Sequence, residues 1–178
     1  HARREIGLAL GEQPTAKGYP ASVMSLIPSL VERAGMGDTT SGGSITGIYT
    51  VLADGDDTND PVVDSARAIL DGHVVLSRAN AQMGIYPAVD ISASISRVMN
   101  DIVDPKHLAA ARRMRQLVSL YMENRDLMLM GGYVEGQDAD LDQAVKLWPK
   151  IVEFISQRSD SRADFKTSIR DLLAVAGT

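Results

Sequence analysis

The hydrophobic pattern of this chain changes period once, at Asp104-Pro105, and that change constrains the fold more than any other feature. Upstream of it, apolar runs of strand type alternate with helical segments. Ser44-Ile45-Thr46-Gly47-Ile48-Tyr49-Thr50-Val51-Leu52 is β-branched and mostly apolar, which predicts a strand buried on both faces of a covered sheet. His73-Val74-Val75-Leu76-Ser77 predicts a second, shorter strand, and a helical turn over 78–83 leads to Ile85-Tyr86-Pro87-Ala88-Val89-Asp90. Helices are predicted up to Gly11, over 21–34 and over 62–71, the second carrying Val23, Leu26, Ile27, Leu30 and Val31 on one face and stopping at Gly35. Loops are predicted at 13–20 and 37–43 from their Pro, Gly and Thr content.

Downstream, only the helical period remains. Leu108, Ala111, Met114, Leu117 and Tyr121 form one stripe, Leu141, Val145, Trp148, Ile151, Val152 and Ile155 a second, and Phe165, Ile169 and Leu172 a third. Only 127–130 has any strand character. The expected fold is α/β with a mostly parallel sheet over residues 1–104, followed by a small all-helical domain over residues 105–178. Residues 1–6 already read as helix with no Ser, Asp or Asn ahead of them to cap it, so the chain is expected to begin inside a larger protein.

Composition removes several function classes. The chain has no Cys, which excludes disulfides and thiolate metal sites and suits a reducing cytoplasm. A net charge of −5 argues against a general nucleic-acid binder. No apolar run approaches the ~20 residues that cross a bilayer. His1, His73 and His107 are isolated, without metal-ligand spacing, and no Gly-x-Ser-x-Gly elbow supports serine catalysis.

No Gly-x-x-x-x-Gly-Lys-[Ser/Thr] loop occurs, and Ser41-Gly42-Gly43-Ser44 lacks the lysine that would meet β- and γ-phosphates. The acidic stretch with Asp54, Asp56, Asp57 and Asp60 fails the EF-hand spacing and reads as a turn that caps the helix after Pro61. On the residues alone, Tyr86 reads as core more readily than as a base-stacking ring. Arg97 reads as a salt-bridge partner, and Arg112, Arg113 and Arg115 read as a solvated helix face.

A set of ordered motifs changes the first two of these readings. Gly43-Ser44-Ile45-Thr46, Asp56-Asp57-Thr58-Asn59-Asp60-Pro61, Leu70-Asp71-Gly72-His73-Val74-Val75-Leu76-Ser77-Arg78, Tyr86-Pro87-Ala88-Val89-Asp90 and Ser94-Ile95-Ser96-Arg97 occur in sequence. Together they resemble the catalytic subunits of the rotary ATP synthase superfamily. Asp64-Ser65-Ala66-Arg67-Ala68-Ile69-Leu70-Asp71-Gly72-His73 and Asp90-Ile91-Ser92-Ala93-Ser94-Ile95-Ser96-Arg97 look most like the ATPase of flagellar protein export, whose near twin is the injectisome ATPase of type III secretion.

The resemblance implies the C-terminal half of a RecA-like P-loop ATPase domain with a helical domain after it. Arg4-Glu5-Ile6-Gly7-Leu8-Ala9 matches a segment just beyond the Walker B strand, so the phosphate loop, catalytic glutamate and Mg²⁺ ligand would lie upstream. ATP and Mg²⁺ would sit between adjacent subunits of a homo-hexamer. Arg97 would be the arginine finger given to the neighbouring subunit, and Tyr86 would stack on adenine in its own subunit. Further pocket residues are expected around 129–133. For Asp56, Asp57, Asp60 and Arg78 the structural reading is kept.

The implied partners are a central stalk protein, a peripheral regulator and export chaperone–cargo complexes, with no nucleic acid. The implied location is the cytoplasm, peripheral to the inner membrane at the export gate. By itself this chain is expected to be inactive, and a non-catalytic docking module for stalk or chaperone is the alternative.

Overall fold

The computed structural model describes residues 1–38, 40, 42–53 and 60–177. Asp54, Asp56 and Asp57, part of the expected acidic turn, lie outside the described residues. The chain forms two compact units, residues 1–71 and 72–178.

In the first unit, α1 (Ala2–Ala9), α2 (Ala21–Val31) and α3 (Pro61–Ile69) pack pairwise, α1 on α2 and α2 on α3. A short 3₁₀ turn lies at Ala16–Gly18. The start of α3 is set chemically: Asp60 accepts from the Val62 and Val63 amides, and Pro61 occupies the first helical position where no donor is needed. Lys17 reaches the same carboxylate at 3.4 Å. The capping expectation for Asp60 therefore holds.

The expected strand over 44–52 does not form along its length. Only β2 (Ser44–Ile45) is a strand, antiparallel to β1 (Gly35–Met36), and Ile48 and Leu52 are each 91% exposed. A strand exists through its ladder, and among the described residues 46–53 meet no partner strand.

The second unit begins with β3 (Gly72–Leu76), followed by α4 (Arg78–Gln82), β4 (Val89–Ser96) and α5 (Met99–Ile102). Ser77 starts α4 by accepting from the Asn80 amide. Strands β3 and β4 are antiparallel, Leu76 facing Val89 and Gly72 facing Ser96. Both described pairs are thus antiparallel, where a mostly parallel sheet was expected. A parallel return needs a long crossover, and residues 77–88 instead close on themselves: the Ser77 amide donates to Ala88 O, and the Asn80 amide group donates to Val89 O.

Asp104 opens the helical part by accepting from the His107 amide, with Pro105 first in α6 (Pro105–Leu129). The weak strand character at 127–130 is overridden, since α6 runs through Leu129. Two more helices follow, α7 (Ala139–Ile155) and α8 (Phe165–Ala176), capped by Asp138 and Asp164. Their apolar stripes meet in one core of Ala110, Met114, Leu117, Val118, Ala144, Ile151, Leu172 and Ala176. Leu117 and Ile151 are fully buried, and each contributes about 1.5–3 kcal/mol by leaving water. Tyr121 of α6 stacks on Trp148 of α7 with centroids 3.8 Å apart.

Candidate functional site

Strand β4 carries both residues singled out in the sequence. Arg97 is the first residue beyond its C-terminal end, exposed, between Ser96 and the start of α5. Tyr86 lies three residues before its N-terminal end, in a loop with a cis Tyr86-Pro87 bond, and is 57% exposed. Its exposure replaces the core reading that the residues alone favoured.

The loop holding Tyr86 has a firm base. Ile85 and Asn80 beneath it are buried, and the Ile85 amide donates to Asn80 O. From the helical side, the Gln157 amide donates to Tyr86 O at 2.7 Å. A ring presented outward from a fixed backbone can meet a flat partner without a large ordering cost.

The two residues occupy opposite ends of one strand. Gly72 and Leu76 of β3 stand opposite Ser96 and Val89. At ~3.3 Å per residue those ends of β4 are therefore about 13 Å apart. The structure does not bring Tyr86 and Arg97 into one cluster.

Between these ends β4 bulges. His73 faces Ile95 and Val75 faces Asp90, so three extra residues are taken up on β4. The bulge satisfies itself: the Ala93 amide donates to the Asp90 carboxylate, the Val75 amide donates to Ser94 Oγ, and His73 Nε2 lies 3.1 Å from Ala93 O. Beyond it, Gly72 crosses the Ile95–Ser96 backbone so closely that a Cβ there would stand 2.6 Å from Ile95 O. Only glycine permits that approach.

Helix α6 grips the outer side of the bulge. Arg115 donates to Ser94 O at 2.8 Å, and Ser92 and Ser119 hydroxyls lie 2.9 Å apart. Arg113 turns the other way, to Asp140, Gln116 and Gln143. The charged run 112–115 is thus not a purely solvated face, which corrects the sequence expectation. Arg112 donates to Asn100 Oδ1 at 3.2 Å. The sequence signal for this contact was the i, i+4 pair Arg115 and Ser119 facing an i, i+2 pair of serines.

Around 129–133, where more of the pocket was expected, Leu129 and Met130 are exposed. Tyr133 donates to Asp142 at 2.7 Å, and this bond raises its phenol pKa to about 12. Asp142 also accepts from the Gly136 amide, pinning the α6–α7 connection. The first unit contains an apolar cleft lined by Ile27, Leu30, Tyr49, Val62 and Leu70. Arg33 is the only charged residue among the described residues that line it, which does not suit them to a triphosphate.

Among the described residues no group of three His, Asp or Glu side chains gathers where it could hold a metal ion. No described helix is long and apolar enough to cross a membrane.

An α/β layer bearing an outward arginine at a strand end, continued by a three-helix bundle, has clear counterparts among known proteins. Residues 1–96 match the ATP synthase alpha/beta family, nucleotide-binding domain, and residues 103–174 match the T3SS EscN ATPase C-terminal domain. The class is therefore a nucleotide-binding domain followed by a helical domain similar to the T3SS EscN ATPase C-terminal domain. The chain belongs to the ATP synthase alpha/beta family.

It is 53% identical to the flagellum-specific ATP synthase of Salmonella typhimurium strain LT2 over 96% of its length, which is 37% of that protein. The Bacillus subtilis strain 168 protein of the same name is 46% identical, with 99% of this chain covering 40% of it. Among solved structures, the assembled ATPase EscN of the enteropathogenic E. coli type III secretion system matches with a TM-score of 0.91 and 42% identity, over 97% of this chain and 41% of that one. EscN in complex with its central stalk EscO matches with a TM-score of 0.84 and 40% identity, over 98% of this chain and 41% of that one. The chain thus spans about two fifths of the length of these relatives.

Proposed function

We propose that this chain is one part of an ATP-hydrolysing ring motor that energises flagellar (type III) protein export. Residues 1–104 act as the C-terminal part of its RecA-like domain and 105–178 as its helical domain. Arg97 is the finger that one subunit gives to the nucleotide of the next. Tyr86 stacks on the adenine of its own subunit.

The observation that carries this reading is the mounting of Arg97. A cation donated to another subunit must stand on the surface, yet on backbone rigid enough to place it. Arg97 is exposed directly after a strand end that β3 holds through Gly72, and α6 grips β4 three and five residues upstream of it. Its guanidinium is always charged and offers a planar fork of donors, which suits phosphoryl oxygens as negative charge builds on them. Tyr86 at the other end of β4 is consistent with each subunit serving two nucleotides, one at each side.

Phosphate-loop, catalytic glutamate and Mg²⁺-ligand functions are assigned to the same polypeptide outside this chain. Mg²⁺, when bound there, would neutralise charge on the phosphates. In this reading the motor is a homo-hexamer in the cytoplasm, at the inner-membrane export gate. It works with a central stalk protein, a peripheral regulator and chaperone–cargo complexes. The EscN matches favour the injectisome ATPase as a second reading, while the 46–53% identities to flagellar relatives favour the first.

The test is Arg97→Ala in the whole polypeptide. Hydrolysis should fall about 10³–10⁵-fold while nucleotide binding and ring assembly persist. Near-normal turnover by that variant would remove the finger assignment.

A further inference from the structure

We propose that Arg115 is a positioning residue for Arg97, acting with Ser119 to hold the β4 bulge in register. The inference rests on the finger reading of Arg97 and adds the residues that aim it.

The two contacts join one face of α6 to the bulge. On α6, Arg115 and Ser119 are i and i+4, one above the other on one face, about 6 Å apart along the axis at ~1.5 Å per residue. On β4, Ser94 and Ser92 are i and i+2, and both lie within the bulge. Arg115 takes Ser94 O and Ser119 meets the Ser92 hydroxyl, so helix and strand are clamped at two points. One bond would leave the strand able to pivot. Two fix both its height and its rotation.

The clamp acts where β4 is least constrained by its neighbour strand. Four residues, 91–94, fall between the pairs His73–Ile95 and Val75–Asp90, so the ladder alone does not set their path. Arg97 is three residues beyond Ser94. The clamping helix is itself fixed, because Met114, Leu117 and Val118 beside these two residues are buried in the bundle core. Ile91 packs against the same core. Any shift of the bundle relative to its own strand is thus delivered to the backbone that carries Arg97.

The test is a double-mutant cycle in the whole ring ATPase, using Arg97→Ala, Arg115→Met and the double variant, with single-turnover hydrolysis for the slow members. Arg115→Met should lower kcat about 10–100-fold, the range expected when a catalytic group is displaced by about 1 Å, with KM changed less than about twofold. Arg115→Lys, which can still donate to Ser94 O, should restore most of it. In the Arg97→Ala background, Arg115→Met should cost nothing further. Ser119→Ala, a milder change that leaves the helix intact, should repeat the pattern at smaller size, and it decides the matter if Arg115→Met does not assemble. Equal losses in both backgrounds, or a wild-type kcat for both clamp variants, overturns the positioning role alone. Full activity in Arg97→Ala overturns the finger reading and the clamp together.

Discussion

The backbone carbonyl of Tyr86 accepts a 2.7 Å hydrogen bond from the amide of Gln157, two residues past the end of α7. The loop before β4 is therefore tied to the helical bundle, as the strand's other end is tied through Ser94 and Arg115. Both residues proposed to meet nucleotide are exposed side chains on backbone fixed from two sides.

Tyr86→Ala should weaken nucleotide binding by the loss of one base–aromatic stack. Such stacks are worth about 1–3 kcal/mol, so Kd should rise roughly 5- to 150-fold. Tyr86→Phe keeps the ring and should bind nearly as well as the parent. Titration with a fluorescent adenine nucleotide in the whole protein measures both. An alanine variant with unchanged Kd would leave the ring without the assigned role.

Gly72→Ala tests the opposite end of β4. A methyl group there would meet Ile95 O at 2.6 Å and Ser96 Cα at 3.2 Å, and both are backbone atoms that cannot rotate away. Overpacking of this kind costs about 1–3 kcal/mol, and relief requires β4 to move away from β3 just before Arg97. The expected result is lower thermal stability together with a kcat defect in the whole ATPase, larger than the change in KM. Thermal melts and steady-state kinetics on the same preparation check it. Loss of stability with kcat intact would show that Ile95–Ser96 can shift without disturbing the arginine.

Part of this arrangement was legible before the fold. The change of period at Asp104-Pro105 marks the cap and first residue of α6, because a short acid and a proline are what a helix start asks for. The three apolar stripes after it became the bundle core, since helical spacing needs no knowledge of distant partners. The run 44–52 misled for the opposite reason. Its β-branched composition states a preference, but a strand is made by its neighbours, and 46–53 have none among the described residues. Pairing direction was misread because residues 77–88 fold back through Asn80 and Val89, a contact no local pattern announces. Tyr86 could not be placed by polarity, since a tyrosine suits core and surface equally. Arg115 was hidden by its neighbours: three arginines within four residues look like a solvated face, and only the facing serines of β4 give one of them a task.

The acid stability of the bundle should depend on Asp164. This N-cap residue of α8 accepts from the Thr167 hydroxyl, then from the Thr167 and Lys166 amides, and these bonds hold its carboxyl below the ordinary carboxylate range. A carboxylate with a depressed pKa stabilises the fold above its unfolded value, about 3.9, and that contribution is lost as pH falls through the lower folded value. Asp104 at the start of α6 is shifted in the same direction, first by the His107 amide. Unfolding on acidification should therefore set in near pH 4 and deepen below it. Trp148 is the single tryptophan of the chain and is stacked on Tyr121, so its fluorescence reports on this bundle. Asp164→Asn keeps a capping acceptor but cannot titrate. It should leave stability near pH 7 almost unchanged and flatten the fall in Trp148-detected stability below pH 4. An asparagine variant that follows the parent curve through that window would mean that the cap's charge has no part in the acid response.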